Sequence, residues 1–164
     1  MKQGNRRTLW MILGSLGPAL LTASCSSQPQ ASAARRAEVA ARGAEVMPFD
    51  LARTKHGFES LPDGGLQTVT ANDAADTLQI RLVREHLQQE AAKFSRGEFA
   101  DPMAIHGHAM PGLAELRQGA ASIRIVFAAI PAGATIRYAT DDPALVAALH
   151  RWFEAQRMDH GVGQ

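Results

Sequence analysis

A hairpin followed by a helix occurs twice in this chain, and this repetition limits the possible folds more than any other feature. Residues 49–60 and 66–71 predict two strands joined across a Gly-rich turn, and residues 123–130 and 135–140 predict a second hairpin. An amphipathic helical stretch follows each hairpin, and such helices need an apolar surface to pack against. The sequence therefore predicts an α+β fold of two β-β-α units. They would form a four-stranded antiparallel sheet with two long helices on one face.

Both predicted helices have a buried stripe and end signals. The apolar residues that recur at helical spacing are Ile80, Val83, Leu87, Ala91 and Phe94 in the first, and Leu145, Leu149, Trp152 and Phe153 in the second. Asn72 or Asp73 is the predicted N-cap of the first helix, and Asp142 that of the second. Gly97 and Gly161 are predicted to end them.

Matching residues at a constant offset indicate that the two units are a pseudo-repeat, residues 53–97 and 122–160. The matched positions are Leu61-Pro62 with Ile130-Pro131, Gly64 with Gly133, and Asp73 with Asp142. Between the units, residues 98–110 predict a loop and residues 112–118 a short helix.

The N-terminus has the pattern of an export signal. Lys2, Arg6 and Arg7 precede an apolar run over residues 9–23, which is shorter than the roughly 20 residues of a permanent membrane span. The chain's single cysteine, Cys25, follows small residues, and this arrangement resembles the bacterial lipobox, in which the cysteine is acylated. The resemblance implies a lipoprotein-type signal peptide over residues 1–24 and lipidation of Cys25.

Two alternatives stay open for this N-terminus. Ordinary secretion would cleave the chain near residues 31–33 and discard Cys25. The arginine pair Arg6-Arg7 also resembles the twin-arginine export motif, so either export route is compatible with the sequence.

After the signal, residues 25–45 are small and polar except for Val39, so they predict a flexible tether. Residues 46–164 are then predicted to form a single α+β domain. The whole chain has 17 Lys and Arg against 16 Asp and Glu, and the predicted leader carries three of the cations, so the mature chain is slightly acidic. Nucleic-acid binding is therefore not predicted. The expected location is the cell envelope, lipid-anchored and facing the periplasm, and Ser26-Ser27 favours the outer membrane of a diderm host.

The segment 103–110 contains the densest set of metal-ligand side chains. His106 and His108 flank a glycine in a predicted loop, and Met103 and Met110 lie on either side. Thioether and imidazole ligands suit copper, and imidazole also suits zinc. His160 adds another imidazole at the C-terminus. The alternative is that the methionines pack in the core and the histidines lie on the surface.

Other candidates carry weaker signals. His86 and Glu90 lie four residues apart on the first predicted helix, where they either bind a metal, share a proton or form a surface pair; the surface pair is the favoured interpretation. His150 is predicted to be solvated. The chain has no Gly-x-Ser-x-Gly or His-Glu-x-x-His motif, so enzymatic activity is not favoured.

Residues 47–51, 106–113 and 152–156 resemble a family of small bacterial exported lipoproteins, over roughly residues 46–161. Some members of that family carry the label aspartate carbamoyltransferase. The Ser-Thr-Arg-Thr and His-Pro-x-x-Gln segments of true carbamoyltransferases do not occur in this sequence, so the label transfers no site residues.

Together these features predict a lipid-anchored envelope protein that binds a transition metal, of copper type or zinc, through the loop of His106, His108, Met103 and Met110 with His160. The first alternative is a structural or protein-interaction lipoprotein without metal, whose partner docks on the uncovered face of the sheet. The third hypothesis is an enzyme of unknown type, and no motif supports it.

Overall fold

A computed structural model describes residue 1 and residues 32–161. The predictions about the signal peptide, the arginine pair and Cys25 therefore lie outside the described residues.

Two hairpins form one four-stranded antiparallel sheet. The strands are β1 (Thr54–Leu61), β2 (Gly64–Ala71), β3 (Arg124–Ile130) and β4 (Gly133–Ala139), in the spatial order β1-β2-β4-β3. Both turns are shorter than predicted, with two residues each, because the glycines that follow them already belong to the second strands.

The glycines Gly64 and Gly133 begin the two central strands at equivalent positions. A Cβ atom on Gly64 would lie 2.2 Å from the carbonyl oxygen of Tyr138, and one on Gly133 would lie 2.0 Å from that of Val69. Each glycine therefore allows β2 and β4 to pair closely at one end. This close approach is the physical reason for a glycine at both matched positions.

The two long helices, α2 (Thr77–Phe94) and α5 (Pro143–His160), cover one face of the sheet, which confirms the predicted α+β fold. Each lies mainly on the hairpin of the other unit: α2 on β3 and β4, and α5 on β1 and β2. The predicted stripes of both helices are buried; among the largest fully buried side chains are Trp152, Tyr138, Phe99, Phe153, Leu87, Leu149 and Val83.

The predicted helix ends are only partly correct. Asp142 caps α5 by accepting a hydrogen bond from the Ala144 N–H, and Gly161 ends that helix with φ +66°. For α2 the cap is Asp76, which accepts from the Gln79 N–H, rather than Asn72 or Asp73. Asp73 instead accepts from the Ala75 N–H in the preceding turn, which delays the start of the helix.

The structure differs from the predicted tether over much of its length. Residues Ala33–Val46 form helix α1, capped by Ser32 and packed against α3 (Ala100–His106) and α5. Val39 is buried, and the Arg35 guanidinium donates to both carboxylate oxygens of Asp159 at 3.1 and 2.8 Å. From the sequence, residues 33–44 are expected to be helical only transiently, because one large apolar residue offers little surface to hold a short helix. The ion pair with Asp159 and hydrogen bonds from Arg35 and Arg42 to the carbonyl oxygens of His106 and Ile105 add contacts with α5 and α3.

The predicted loop over residues 98–110 is also partly helical. Helix α3 begins at Ala100, has Pro102 in its first turn, where proline is tolerated, and ends at Gly107 with φ +93°. The predicted short helix is α4 (Leu113–Gln118). Within residues 32–161 the structure contains no helix with the length and apolar character needed to cross a bilayer.

Candidate metal and ligand site

The five residues of the predicted His/Met site are dispersed in the structure. His106 ends α3 with a buried side chain, and its ring centroid lies 5.1 Å from that of His160. His108, beyond the turn at Gly107, is exposed to solvent. Met110 is buried in the hydrophobic core, and Met103 packs against that core. The structure therefore brings only His106 and His160 together as adjacent rings, and both thioethers contact apolar side chains.

Three histidines nevertheless form a row between α3, α5 and the sheet. His160 stacks on His56 with a centroid distance of 5.1 Å and meets His106 edge-on. Burial, and next the neighbouring imidazoles, lower the pKa of His56 to about 4 and that of His160 to about 3. Both rings are therefore neutral at pH 7.

The third ring of this row is oriented by a carboxylate. The Nδ1 atom of His106 lies 2.7 Å from the Asp159 carboxylate, which also accepts from Arg35. Because the carboxylate of Asp159 only accepts, the His106 proton is on Nδ1. This contact also ties the C-terminal turn of α5 to α1 and α3.

A separate cluster joins α2 to α3. His86, Glu90 and Asp101 each place one possible metal-ligand atom within 4.8 Å of the other two. In the described part of the chain, no other group of three His, Cys, Asp or Glu side chains meets this limit. His86 and Glu90 are 7% and 4% exposed. The favoured interpretation of these two as a surface pair was therefore wrong: they face inward from α2, where Asp101 at the start of α3 meets them.

Charge in this cluster is balanced by one lysine. The ammonium group of Lys93 donates to Glu90 Oε1 at 2.8 Å and to Asp101 Oδ2 at 3.1 Å. Burial raises the pKa of Glu90 to about 7, against the opposing effect of Lys93. For Asp101, burial is outweighed by hydrogen bonds with Glu90 and Lys93, so its pKa is lowered. Asp101 is thus ionised at neutral pH, whereas Glu90 is partly protonated there.

A cavity of about 40 Å³ lies beside this cluster, under α2 and α5. His86 and Glu90 line it together with the following residues that carry polar atoms: His56, Gln67, Trp152, Gln156 and His160. Its remaining walls are mostly apolar side chains such as Phe49 and Leu87. Ligand pockets for drug-sized molecules measure roughly 300–1,000 Å³, so this space suits an ion, a water-sized group or a very small molecule.

The sequence indicates part of this candidate cluster and not the rest. The i, i+4 spacing of His86 and Glu90 indicates a shared helix face. No sequence signal connects them with Asp101, because that contact depends on how α3 packs. His150 is not solvated as predicted: its Nε2 lies 2.9 Å from the Leu61 carbonyl oxygen and 3.0 Å from that of Gly64, which ties α5 to the first hairpin.

The uncovered face of the sheet provides little apolar surface. Beyond residue 1, the large apolar side chains that are exposed in the described chain are Leu78, on α2, and Val126, on β3. Outward-facing neighbours of Val126 in the sheet include Thr135 and Arg137. The docking of a partner on this face stays a prediction.

Comparisons of the chain with protein-family models, with curated proteins and with solved structures find no match.

Proposed function

We propose that this chain is a metal-binding protein of the cell envelope, and that His86, Glu90 and Asp101 hold a divalent transition-metal ion. The observation that supports this proposal is the convergence of one imidazole and two carboxylates within 4.8 Å at a largely buried position. This ligand set has nitrogen and oxygen donors only. It suits Zn(II) and similar divalent ions, whereas Cu(I) prefers the sulfur ligands of the His/Met loop.

The charges around the cluster favour a cation. Ionised Glu90 at 4% exposure is costly, and a divalent ion would compensate it more fully than one lysine does. The side chain of Lys93 is 35% exposed, so it has a route to solvent when an ion replaces it. Three protein ligands leave a fourth position of a tetrahedral ion open, as in zinc sites that react or exchange ligands.

Zinc titration of the full chain, purified in mild detergent and freed of metal with a chelator, tests this site. We expect one Zn(II) per chain, and an affinity at least ~100-fold weaker in both Glu90→Gln and Asp101→Asn, because each substitution removes a first ligand. Glu85→Gln is the matched control, since Glu85 is exposed on the same helix and pairs with Arg81. Its affinity should equal that of the unmodified chain.

One further variant separates this cluster from the predicted loop. His108→Ala removes an exposed side chain and should leave zinc affinity unchanged. If His108→Ala weakens binding as much as Glu90→Gln, or if Glu90→Gln and Asp101→Asn bind as tightly as the unmodified chain, the proposed site is wrong.

The envelope location rests on the leader sequence alone. A cationic start, an apolar run and a small-residue approach to Cys25 support lipid anchoring on the periplasmic side, in the outer membrane of a diderm host. Cys25→Ser should move the protein from the membrane fraction to the soluble fraction of the native host. Unchanged retention in the membrane fraction would contradict the anchor.

A further inference from the structure

The strand β3 lies at one edge of the sheet and is paired on one side. In the described part of the chain its neighbour is β4, because β3 ends the order β1-β2-β4-β3. The two-residue turn makes Ile130 and Gly133 a hydrogen-bonded pair, and bonding then alternates along the hairpin. The even-numbered residues of β3 therefore bond to β4. Ile125, Phe127 and Ala129 point their backbone N–H and C=O groups away from β4, toward the open edge.

The other edge of the sheet is protected in a way that β3 is not. Edge strands usually carry charges, proline or bulges that prevent pairing with another molecule. The opposite edge strand, β1, carries Lys55, Glu59 and the interior glycine Gly57. In contrast, β3 contains a single charge, Arg124 at its first position, and neither proline nor glycine. The side chain of Val126 is 42% exposed. The strand β3 is therefore a regular and largely apolar edge.

This edge is complementary to a second copy of itself. One antiparallel register pairs all the outward residues with one another: Phe127 lies opposite its counterpart, and Ile125 lies opposite Ala129 on both sides. About six backbone hydrogen bonds form in this register, two for each pair. On the other face Val126 lies opposite Ala128, so these large aliphatic side chains each meet an alanine. The two Phe127 rings form the kind of aromatic cross-strand pair that stabilises sheets.

Charge and helix packing also permit this register. Arg124 lies opposite Ile130, so the two arginines are at opposite ends of the paired strands, roughly 20 Å apart at about 3.4 Å per residue. Helix α2 contacts β2 as well as β3 and β4, so its axis is set back from the edge. These features favour a second copy over an unrelated extended segment, because β3 itself supplies the small residues that lie opposite its large ones.

We propose that two copies of this chain associate edge to edge through β3, so that their two four-stranded sheets join as one continuous antiparallel sheet. The contact consists of one strand from each copy, so its area is small and the association is reversible. It involves none of His86, Glu90 and Asp101 and needs no metal. It therefore goes beyond the metal binding proposed above.

Proline variants of the two edge strands test this contact by sedimentation of the metal-free full chain in mild detergent. Ala129→Pro removes an outward N–H from each copy and keeps the bonds to β4, and proline is tolerated at such edge positions. We expect the unmodified chain to form a dimer. Association of Ala129→Pro should be at least ~30-fold weaker, because two hydrogen bonds are lost.

Ser60→Pro is the matched control for this substitution. Ser60 is exposed on β1, and the hydrogen-bonded pair of Leu61 and Gly64 directs its N–H to the opposite edge of the sheet. Its association should equal that of the unmodified chain. All three proteins have the same N-terminus, so association through an anchor or a leader would be equal in all of them.

Cysteine pairing tests the register independently. Val126→Cys and Ala128→Cys occupy directly opposed positions across the proposed contact, with Cα atoms about 4.5 Å apart, which is within the range of a disulfide. Identical positions are diagonal to each other, about 7–8 Å apart. On mild oxidation, a mixture of the two variants should therefore form a mixed disulfide faster than either variant alone. The unmodified chain, whose single cysteine is Cys25, controls for bonds through that residue.

Three results would overturn the proposal. They are a monomeric unmodified chain at about 100 μM, equal association of Ala129→Pro and Ser60→Pro, and disulfide formation that is no faster in the mixture than in either cysteine variant alone. If circular dichroism shows that Ala129→Pro is unfolded, the disulfide comparison decides between the outcomes. Because the protein is metal-free throughout, none of these results bears on the zinc site.

Discussion

Gly112→Ala is expected to destabilise the fold by at least about 4 kcal/mol, which is exceptional for the addition of one methyl group. Gly112 has φ +80°, and a Cβ atom at this position would lie 2.1 Å from the carbonyl oxygen of Ala148 and 2.9 Å from its carbonyl carbon. These are backbone atoms of α5, so no side-chain rotation relieves the overlap. The start of α4 would have to move away from α5 and open the core around Leu113 and Leu149.

Gly107 provides the matched control for this substitution. It also has a positive φ, +93°, but a Cβ atom there would meet nothing within 4 Å. Gly107→Ala should therefore cost only the backbone strain, about 1–3 kcal/mol. Urea unfolding of both variants measures the difference. Equal destabilisation would show that α4 does not approach the α5 backbone as closely as described.

Glu90→Gln is expected to stabilise the metal-free protein at pH 8 and to lose this advantage by pH 5. Burial raises the pKa of Glu90 from 4.5 to about 7, so the folded state binds a proton that the unfolded state lacks between these values. The stability that this proton gives is fully present below pH 4.5 and is lost as the pH rises through 7. Glutamine is neutral throughout, so the gain at pH 8 is on the order of 2 kcal/mol.

The charged groups that face Glu90 are consistent with a stabilising effect of Glu90→Gln at pH 8. Lys93 keeps its contact with Asp101 in the variant, so its ammonium group is not left unpaired. His86 faces the same cluster with a pKa lowered mainly by burial, and it therefore adds no compensating positive charge at pH 8. The carboxylate of Asp101 likewise stays ionised across this range, because its pKa is lowered.

The buried histidines have the opposite effect on the pH dependence: they make the folded state less stable as the pH falls. The pKa values of His56 and His160 are lowered from 6.5 to about 4 and about 3. Their contribution to stability is present above pH 6.5 and is lost as the pH falls toward 4. In the unmodified chain, protonation of Glu90 offsets part of this loss. Glu90→Gln lacks the offset, so its stability should fall more steeply between pH 6.5 and 5.

Urea unfolding at pH 8, 6.5 and 5 measures these slopes. Glu85→Gln is the control and should follow the unmodified chain, because its carboxylate is exposed. A Glu90→Gln protein that is less stable than the unmodified chain at pH 8 would contradict the description of Glu90 as a buried carboxyl group held by one lysine.

Local pattern was sufficient to predict the sheet and its two long helices. Period-2 and helical spacing identify strands and helices directly, and Ile80, Val83, Leu145 and Leu149 are buried as their spacing predicts. The sequence pattern did not predict elements that are held by contacts between residues far apart in the chain. Helix α1 contacts the rest of the fold through buried Val39 and through a pair between Arg35 and Asp159, which are far apart in sequence.

The candidate site shows the same limit. Spacing alone placed His86 and Glu90 on one side of a helix, but it gave no information on whether that side was buried. Met103, Met110 and His106 were close in sequence and therefore seemed a natural metal loop. In the fold Met103 packs against the core from α3, Met110 lies in the core beyond the end of α3, and His106 meets Asp159. Proximity in sequence was thus a poor guide to convergence in space.

X-ray absorption spectroscopy of the zinc-loaded full chain tests the proposed metal centre most directly. The ligand set of His86, Glu90 and Asp101 predicts a first shell of one imidazole nitrogen and otherwise oxygen, at about 2.0–2.2 Å. A sulfur shell, or two or more imidazoles, would place the ion away from this cluster. Either finding would contradict the proposed centre.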